Sequence, residues 1–325
     1  FIFVNLKTYL FVQLRQLPAQ GHSWLHKSNS CRQQTSWTMY EVSSEIYKET
    51  NFQPVKNNAA DGKVVSKFKF YYPLEEVKEN LAPTQDKDGD LIVYRKTNSK
   101  DEQVGEIEIE HSEATVLKLV GLQVWRGALL LADYFIHQRE ELRDKQLLEL
   151  GAGVGLTSIA AALYARRVIC TDVDIGGILN LIRANVQRNQ NKLNKCCQVE
   201  VMQFDFMQEP QHYSKELRLA LSESDIIVAA DVIYDDELTD AFIRVLDGVF
   251  EVEKSSGKKK VVYLALEKRF VFTLTELDAV APMFEHFLKQ TMKKAWHFEY
   301  IPLDFPQYFV YERCKQLVLL KLTNS

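Results

Sequence analysis

Three glycines at alternate positions follow an aliphatic run in Leu147-Leu148-Glu149-Leu150-Gly151-Ala152-Gly153-Val154-Gly155-Leu156-Thr157. A strand that turns sharply into a helix needs glycine where a ligand must approach the backbone to van der Waals distance. The dinucleotide fingerprint is spaced G-x-G-x-x-G. Here the spacing is G-x-G-x-G, and a carboxylate, Glu149, stands two residues ahead. A pyrophosphate seeks the anion site at a helix N-terminus, and Glu149 would repel it. The same carboxylate favours a cationic or zwitterionic ligand such as S-adenosylmethionine (AdoMet). A second apolar run, Val168-Ile169-Cys170-Thr171, ends in Asp172, seventeen positions after Gly155. Its two oxygens can accept both hydroxyls of a ribose, in NAD as in AdoMet, so Asp172 alone does not separate them. Strand, glycines, helix, Glu149 and Asp172 taken together point to AdoMet.

These residues need a scaffold, and the pattern around them supplies one. Apolar runs suited to buried strands occur at Gln146–Leu150, Arg167–Thr171, Gln198–Phe206, Asp225–Tyr234 and Lys260–Leu266. Helix-compatible stretches lie between them at Thr157–Ala165, Ile178–Asn189, Leu238–Glu253 and Leu274–Gln290. Such alternation predicts an α/β fold, a parallel sheet with helices on both faces. Two strand patterns with no helix between them, Trp296–Leu303 and Val310–Leu320, predict a terminal antiparallel hairpin.

Three further motifs carry a family resemblance: Val124-Trp125-Arg126-Gly127-Ala128-Leu129, Ala230-Asp231-Val232-Ile233-Tyr234, and Leu266-Glu267-Lys268-Arg269. With the glycine loop, they make roughly residues 115–322 resemble the seven-β-strand, class I AdoMet-dependent methyltransferases, and within them the family-16 protein lysine methyltransferases. The resemblance implies a Rossmann-like seven-stranded sheet and AdoMet as methyl donor, with S-adenosylhomocysteine as product and no metal. It implies that Glu149, Gly151 and Gly153, with Gly155 in the same loop, line the methionine part of the cofactor. Asp172 would hold the ribose and Asp205 the adenine edge, while Trp125 would pack on the cofactor with Ala230 beside its reactive end. Asp231 and Tyr234 form the family's D-x-x-Y motif, which would attract and orient the acceptor amine. The part of the family that this chain resembles most acts on KIN, a nuclear DNA- and RNA-binding protein. KIN and a nuclear or cytoplasmic location are therefore the implied partner and place. Structural roles stay open beside these: a core position for Trp125, a turn cap for Asp205, and a helix start for Asp231 to Glu237. Other acceptors (a protein histidine or a small amine) and a non-catalytic interaction protein of the same fold also stay open.

Composition narrows the rest. The 325 residues are 46% hydrophobic and 26% charged, with a formal charge of −4, which fits a globular chain rather than a disordered one. That charge argues against binding nucleic acid by bulk electrostatics; the expected partner is a protein with a basic surface around the target lysine. Five cysteines, two of them adjacent as Cys196-Cys197, match neither a disulfide framework nor a metal site, and no membrane span is expected. Residues 1–38 hold four bases, no acid and no Met; they are expected to be a spurious or disordered leader rather than a mitochondrial transit peptide. Residues 39–112 are expected to form a polar region of short strands and loops, and 113–325 the methyltransferase domain. Within the former, Asp86, Asp88 and Asp90 read as a solvated turn, followed by a short strand at Leu91–Tyr94. Glu106-Ile107-Glu108-Ile109-Glu110 reads as a half-exposed edge strand. Lys258-Lys259-Lys260 reads as a solvated loop.

Overall fold

The structure is a computed structural model that describes residues 41–49, 52, 54–55, 62–72, 104–273 and 278–324. The expected leader 1–38, the Asp86–Asp90 turn and the Leu91–Tyr94 strand lie outside the described residues.

The sheet is built on the predicted aliphatic runs. Strands β6 (Gln146–Leu150), β7 (Arg167–Asp172), β8 (Gln198–Gln203), β9 (Ile226–Ala230) and β10 (Val261–Glu267) pair in parallel. Strands β13 (Trp296–Tyr300) and β14 (Leu317–Asn324) complete it in antiparallel. The seven-stranded order is β13-β14-β10-β9-β6-β7-β8. Every residue of β6 is buried, as a strand covered on both faces requires. The chain moves outward from β6 to β7 and β8, then returns to β9 on β6's other side. The crevice above the carboxyl ends of β6 and β9 is therefore the topological switch point, where open α/β sheets bind ligands. The C-terminal hairpin forms as expected, with β14 inserted between β10 and β13.

Helices cover both faces. On one lie α1 (Arg126–His137), the short α2 (Arg139–Leu142), α3 (Leu156–Ala161) and α4 (Ile178–Arg188); on the other lie α5 (Lys215–Glu223), α6 (Asp236–Ser256) and α7 (Pro282–Thr291). The stretch Leu117–His137, a 3₁₀ turn running toward α1, is long and apolar enough to cross a bilayer, yet most of its apolar window is buried inside the protein. It is a core element.

Three expectations need correction. The helix expected over Leu274–Gln290 begins only at Pro282, and Val271–Thr273 (β11) pairs with Asp278–Val280 (β12) before it. Proline suits the first turn of a helix but pushes the residue before it out of helical geometry, and Ala281 has φ −108°, ψ 75°. The final strand spans Leu317–Asn324 rather than Val310–Leu320. Residues 308–313 are held instead by side chains: Asp133 accepts the Tyr308 and Phe309 N–H groups and pairs with Arg313 at 2.6 Å. Third, Lys260 is buried rather than solvated. Its ammonium donates to the carbonyls of Leu221, Ser222 and Ser224 at 2.7–2.9 Å, capping α5, and burial lowers its pKa to about 8.

The segment ahead of the sheet packs directly against it. Strands β1 (Glu41–Val42) and β5 (Thr115–Val116) pair, while β2 (Pro54–Val55), β3 (Lys63–Tyr71) and β4 (Val104–Ser112) form a separate antiparallel sheet. The alternation expected in Glu106–Glu110 is present: Ile107 and Ile109 are fully buried. The edge of β4 away from β3 is nevertheless covered. The side chains of Asn185 in α4 and of Asn189 at its C-cap each accept an N–H and donate to a C=O, of Glu110 and Glu108 respectively, at 2.7–3.0 Å. Two helix amides thus take the place of a neighbouring strand.

Candidate active site

A cleft of about 1020 Å³, open to solvent, lies above β6 and β9. Its lining includes Trp125, Glu149, Gly151, Gly153, Asp172, Asp205, Ala230, Asp231 and Tyr234. The sheet brings all but Trp125 together because each of them ends or follows one of four neighbouring strands, and Trp125 comes in from the start of α1. Gly155 is not among the lining residues. With φ +85° it starts α3, and a Cβ there would meet Ile182 at 3.2 Å. Its role is the turn. Gly153 combines φ +56° with a close approach, since an added Cβ would lie 3.0 Å from the Gly121 carbonyl oxygen.

The acids are buried to different degrees of saturation. Glu149 lies inside, accepting a hydrogen bond from the Ser158 hydroxyl, and burial pushes its pKa to about 8. Asp172 accepts the Gly153 N–H at 2.7 Å and the Val173 N–H at 2.8 Å. Burial raises it to about 6, against the pull of those bonds. Each Asp172 oxygen accepts one of these bonds, and the residue lines the cleft. Asp205 accepts the Met207 N–H at 2.9 Å, the turn-capping arrangement held open above, and also borders the cleft. Trp125 is the N-cap of α1, and its indole donates to the Val120 carbonyl at 3.0 Å.

Asp231 is more deeply engaged than its motif suggested. Its carboxylate accepts the Gly127 N–H at 2.7 Å and the Glu267 N–H at 2.8 Å, and its backbone sits at φ +52°. Non-glycine residues rarely adopt that conformation, and its strain is characteristic of functional sites. Burial raises its pKa, while nearby Arg269 and the two N–H bonds lower it. Asp231 therefore ties the start of α1 to the end of β10 while facing the cleft. Gly127 has to be glycine, because a Cβ there would lie 2.5 Å from Asp231 Oδ2.

A second cavity of about 1350 Å³ adjoins the first, sharing Val120, Trp125, Asp231 and Tyr234. Its other walls include Glu45, Arg126, Glu267, Lys268, Arg269 and Phe270. Arg269 lies 5.0 Å from the Trp125 ring and 2.8 Å from Glu45. Arg126 bonds Glu49 at 2.9 Å and reaches Glu267 and Glu312 at 3.3 Å. The motifs contain Arg126 and Arg269 but imply no role for them, and Glu45 and Glu49 lie outside the motifs. Their signal lay only in lone acids of a polar segment far from the motifs. Among the described residues no group of three or more His, Cys, Asp or Glu is arranged to hold a metal ion.

The profile of the lysine methyltransferase family, methyltransferase family 16, matches residues 102–289, more than half of the chain. This chain belongs to the family-16 lysine methyltransferases. Methyltransferase-like protein 22 of Mus musculus is 35% identical over 271 residues, covering 77% of this chain and 67% of that protein. Methyltransferase-like protein 22 of Homo sapiens is 37% identical over 234 residues, 66% of this chain and 57% of that protein. The chain thus spans only part of the length of these relatives. Among solved structures, magnesium protoporphyrin IX methyltransferase of Synechocystis PCC 6803 with bound SAM aligns with 62% of this chain and 81% of its own. That alignment has a TM-score of 0.40 at 16% identity. In this family-16 chain Gly151, Gly153, Asp231 and Tyr234 line the first cleft, and Asp231 and Tyr234 also line the second.

Proposed function

We propose that this chain transfers a methyl group from AdoMet to a lysine ε-amine of a protein, with KIN as the substrate and the nucleus as its place of work. The observation that carries the reading is the meeting of two cavities at Trp125, Asp231 and Tyr234. The first suits a nucleoside with a cationic end. Apolar walls at Val124, Phe204, Phe206 and Val232 accept a flat base, Asp172 presents acceptor oxygens to hydroxyls, and Glu149 offers a carboxylate to an ammonium. AdoMet, when bound, supplies an activated methyl group on a sulfonium. The second cavity is rich in carboxylates, as suits a cationic side chain entering from a protein.

Within this reading the chain aligns and desolvates more than it performs acid–base chemistry. Asp231 holds α1 against β10 and keeps its remaining lone pairs for the incoming ammonium. An ordinary carboxylate is too weak a base to strip a lysine whose unperturbed pKa is near 10.4, so the proton leaves to water. Tyr234, whose hydroxyl is pushed up to about 12 by burial, stays neutral and narrows the passage between the cavities. Incubation of the protein with tritiated AdoMet and purified KIN tests the proposal. Label on a KIN lysine, lost with Tyr234→Phe, is the expected result. Label on histidine or on a small amine instead would redirect the acceptor, and no label anywhere would overturn the activity.

A further inference from the structure

The second cavity has two walls of unlike character. On one, the charged groups are already partnered. Arg126 is engaged by Glu49, Glu267 and Glu312, Arg269 by Glu45 at 2.8 Å, and Asp231 by the Gly127 and Glu267 N–H groups. Charge on this wall attracts an ammonium, which every lysine carries, and so does not choose among lysines. The other wall is apolar, made by Leu117, Ile233, Phe270, Pro282 and Met283. Ile233 is buried and Pro282 and Met283 are half-buried, but Phe270 leaves 48% of its surface in water. Large apolar side chains left in water at a cavity mark a contact surface.

The wall is assembled from separate parts of the fold. Ile233 follows β9, Phe270 comes directly after Arg269 beyond the end of β10, and Met283 lies in the first turn of α7. Their supports are fastened to one another. The Lys268 N–H donates to the Gln316 carbonyl at 3.0 Å, and its ammonium lies over the Phe284 ring at 5.1 Å, joining the end of β10 to α7. The Arg269 guanidinium lies over Trp125. Phe270 therefore follows two anchored residues, in the same cavity as Asp231 and Tyr234, which are shared with the cofactor cleft.

We infer that this wall receives a large apolar side chain of the acceptor protein, within two positions of the target lysine, and that Phe270 and Met283 are specificity-determining residues. This rests on the lysine methyltransferase reading above. The lysine enters beside Asp231 and Tyr234, and its apolar neighbour takes the opposite wall, which a lone lysine would leave in water. The neighbour differs from one lysine to the next, so it supplies the selection that an ammonium does not.

Dialysed cell extract is incubated with the full chain and tritiated AdoMet, and the labelled protein is identified, purified and mapped to its labelled lysine. Initial rates against increasing amounts of that protein then compare variants. Phe270→Ala is expected to raise the half-saturating concentration about tenfold, as loss of one large apolar contact does, with Phe270→Leu within about threefold of the unaltered chain. Phe270 does not line the first cleft, so the AdoMet dissociation constant should stay within about twofold. Serine in place of the acceptor's apolar neighbour should cost a similar factor, and the two losses should not multiply when combined. If Phe270→Ala does not fold, Met283→Ser makes the same comparison from α7. A labelled lysine with no large apolar residue within two positions overturns the inference, as do losses that multiply. Unchanged half-saturation with a lowered unfolding midpoint also overturns it, because the wall would then be covered by this chain itself. No label from the unaltered protein overturns the lysine methyltransferase reading and the inference with it.

Discussion

Glu149, a carboxylate beside the glycine loop, repels a pyrophosphate and welcomes a cation. Its burial gives that argument a pH dependence. Its pKa rises from 4.5 to about 8, so the folded chain holds a proton there that the unfolded chain releases. The sign follows: stability from this group is fully present below about pH 4.5 and is lost as pH climbs toward 8. Asp172, raised from 3.8 to about 6, adds a loss in the same direction over a lower window. Urea unfolding from pH 5 to 8 should show falling stability, and Glu149→Gln should flatten the slope. Binding of AdoMet below pH 8 should release a proton from Glu149, because the ligand's ammonium favours the ionised form. Calorimetry in two buffers of unlike ionisation enthalpy reads this directly; identical binding heats would count against it. Asp231 offers a second residue-scale expectation. Asp231→Ala leaves the Gly127 and Glu267 N–H groups without their acceptor, so it should lose roughly 2–4 kcal/mol of stability as well as transfer. Tyr234→Phe should lose transfer with an unchanged unfolding midpoint. The two variants therefore divide scaffold from chemistry.

At the scale of elements, the joint between α4 and β4 is the most exposed to test. Asn185 and Asn189 supply the pairing that β4 lacks on one edge. Asn189→Ala should cost about 1–2 kcal/mol and speed hydrogen exchange at the Glu108 amide, leaving the amides that β3 pairs unaffected. The sequence made β4 legible, because alternate isoleucines among glutamates have the period of a strand. It did not reveal what covers β4. A polar residue on a helix reads as a solvent-facing one, and Asn189 lies 81 positions from Glu108. The α7 boundary was missed for a different reason. Helical periodicity ran through Ala279-Val280-Ala281 into Pro282, and the restraint that proline imposes on its predecessor settled where the helix starts. The central strands and glycine turn were predicted because burial on both faces and a positive φ each leave marks in residue type. Lys260 left none: a lysine capping a helix reads like its less buried neighbours Lys258 and Lys259.

Across the whole molecule, Arg126 is the junction. It joins Glu49 of the leading segment, Glu267 at the end of β10 and Glu312 before β14. Three acids drawn to one buried guanidinium repel one another once it is gone. Arg126→Gln should therefore destabilise the protein by about 3–5 kcal/mol, more at pH 8 than at pH 5, because burial raises the Glu267 carboxyl and its protonation relieves part of the repulsion. Thermal unfolding at the two pH values checks this, and equal losses would mean that packing rather than charge is at stake. The family motifs point to the glycine-loop side of the site but not to this junction, whose partners are close in space and 77 to 186 residues from Arg126 along the chain.

That separation also orders events in time. Strand β14 enters the sheet between β10 and β13, and Glu312 reaches Arg126 from the residues just before it. The ribosome has released the glycine loop, Asp172 and the D-x-x-Y motif well before either partner is made. The cofactor cleft can therefore begin to take shape during synthesis, while the acceptor cavity waits for residues 312–324. Ribosome-bound chains stalled before and after that stretch clears the exit tunnel should differ in protease resistance around Arg126, and equal resistance would refute the order. A nascent chain built this way acquires its donor side before it can engage another protein.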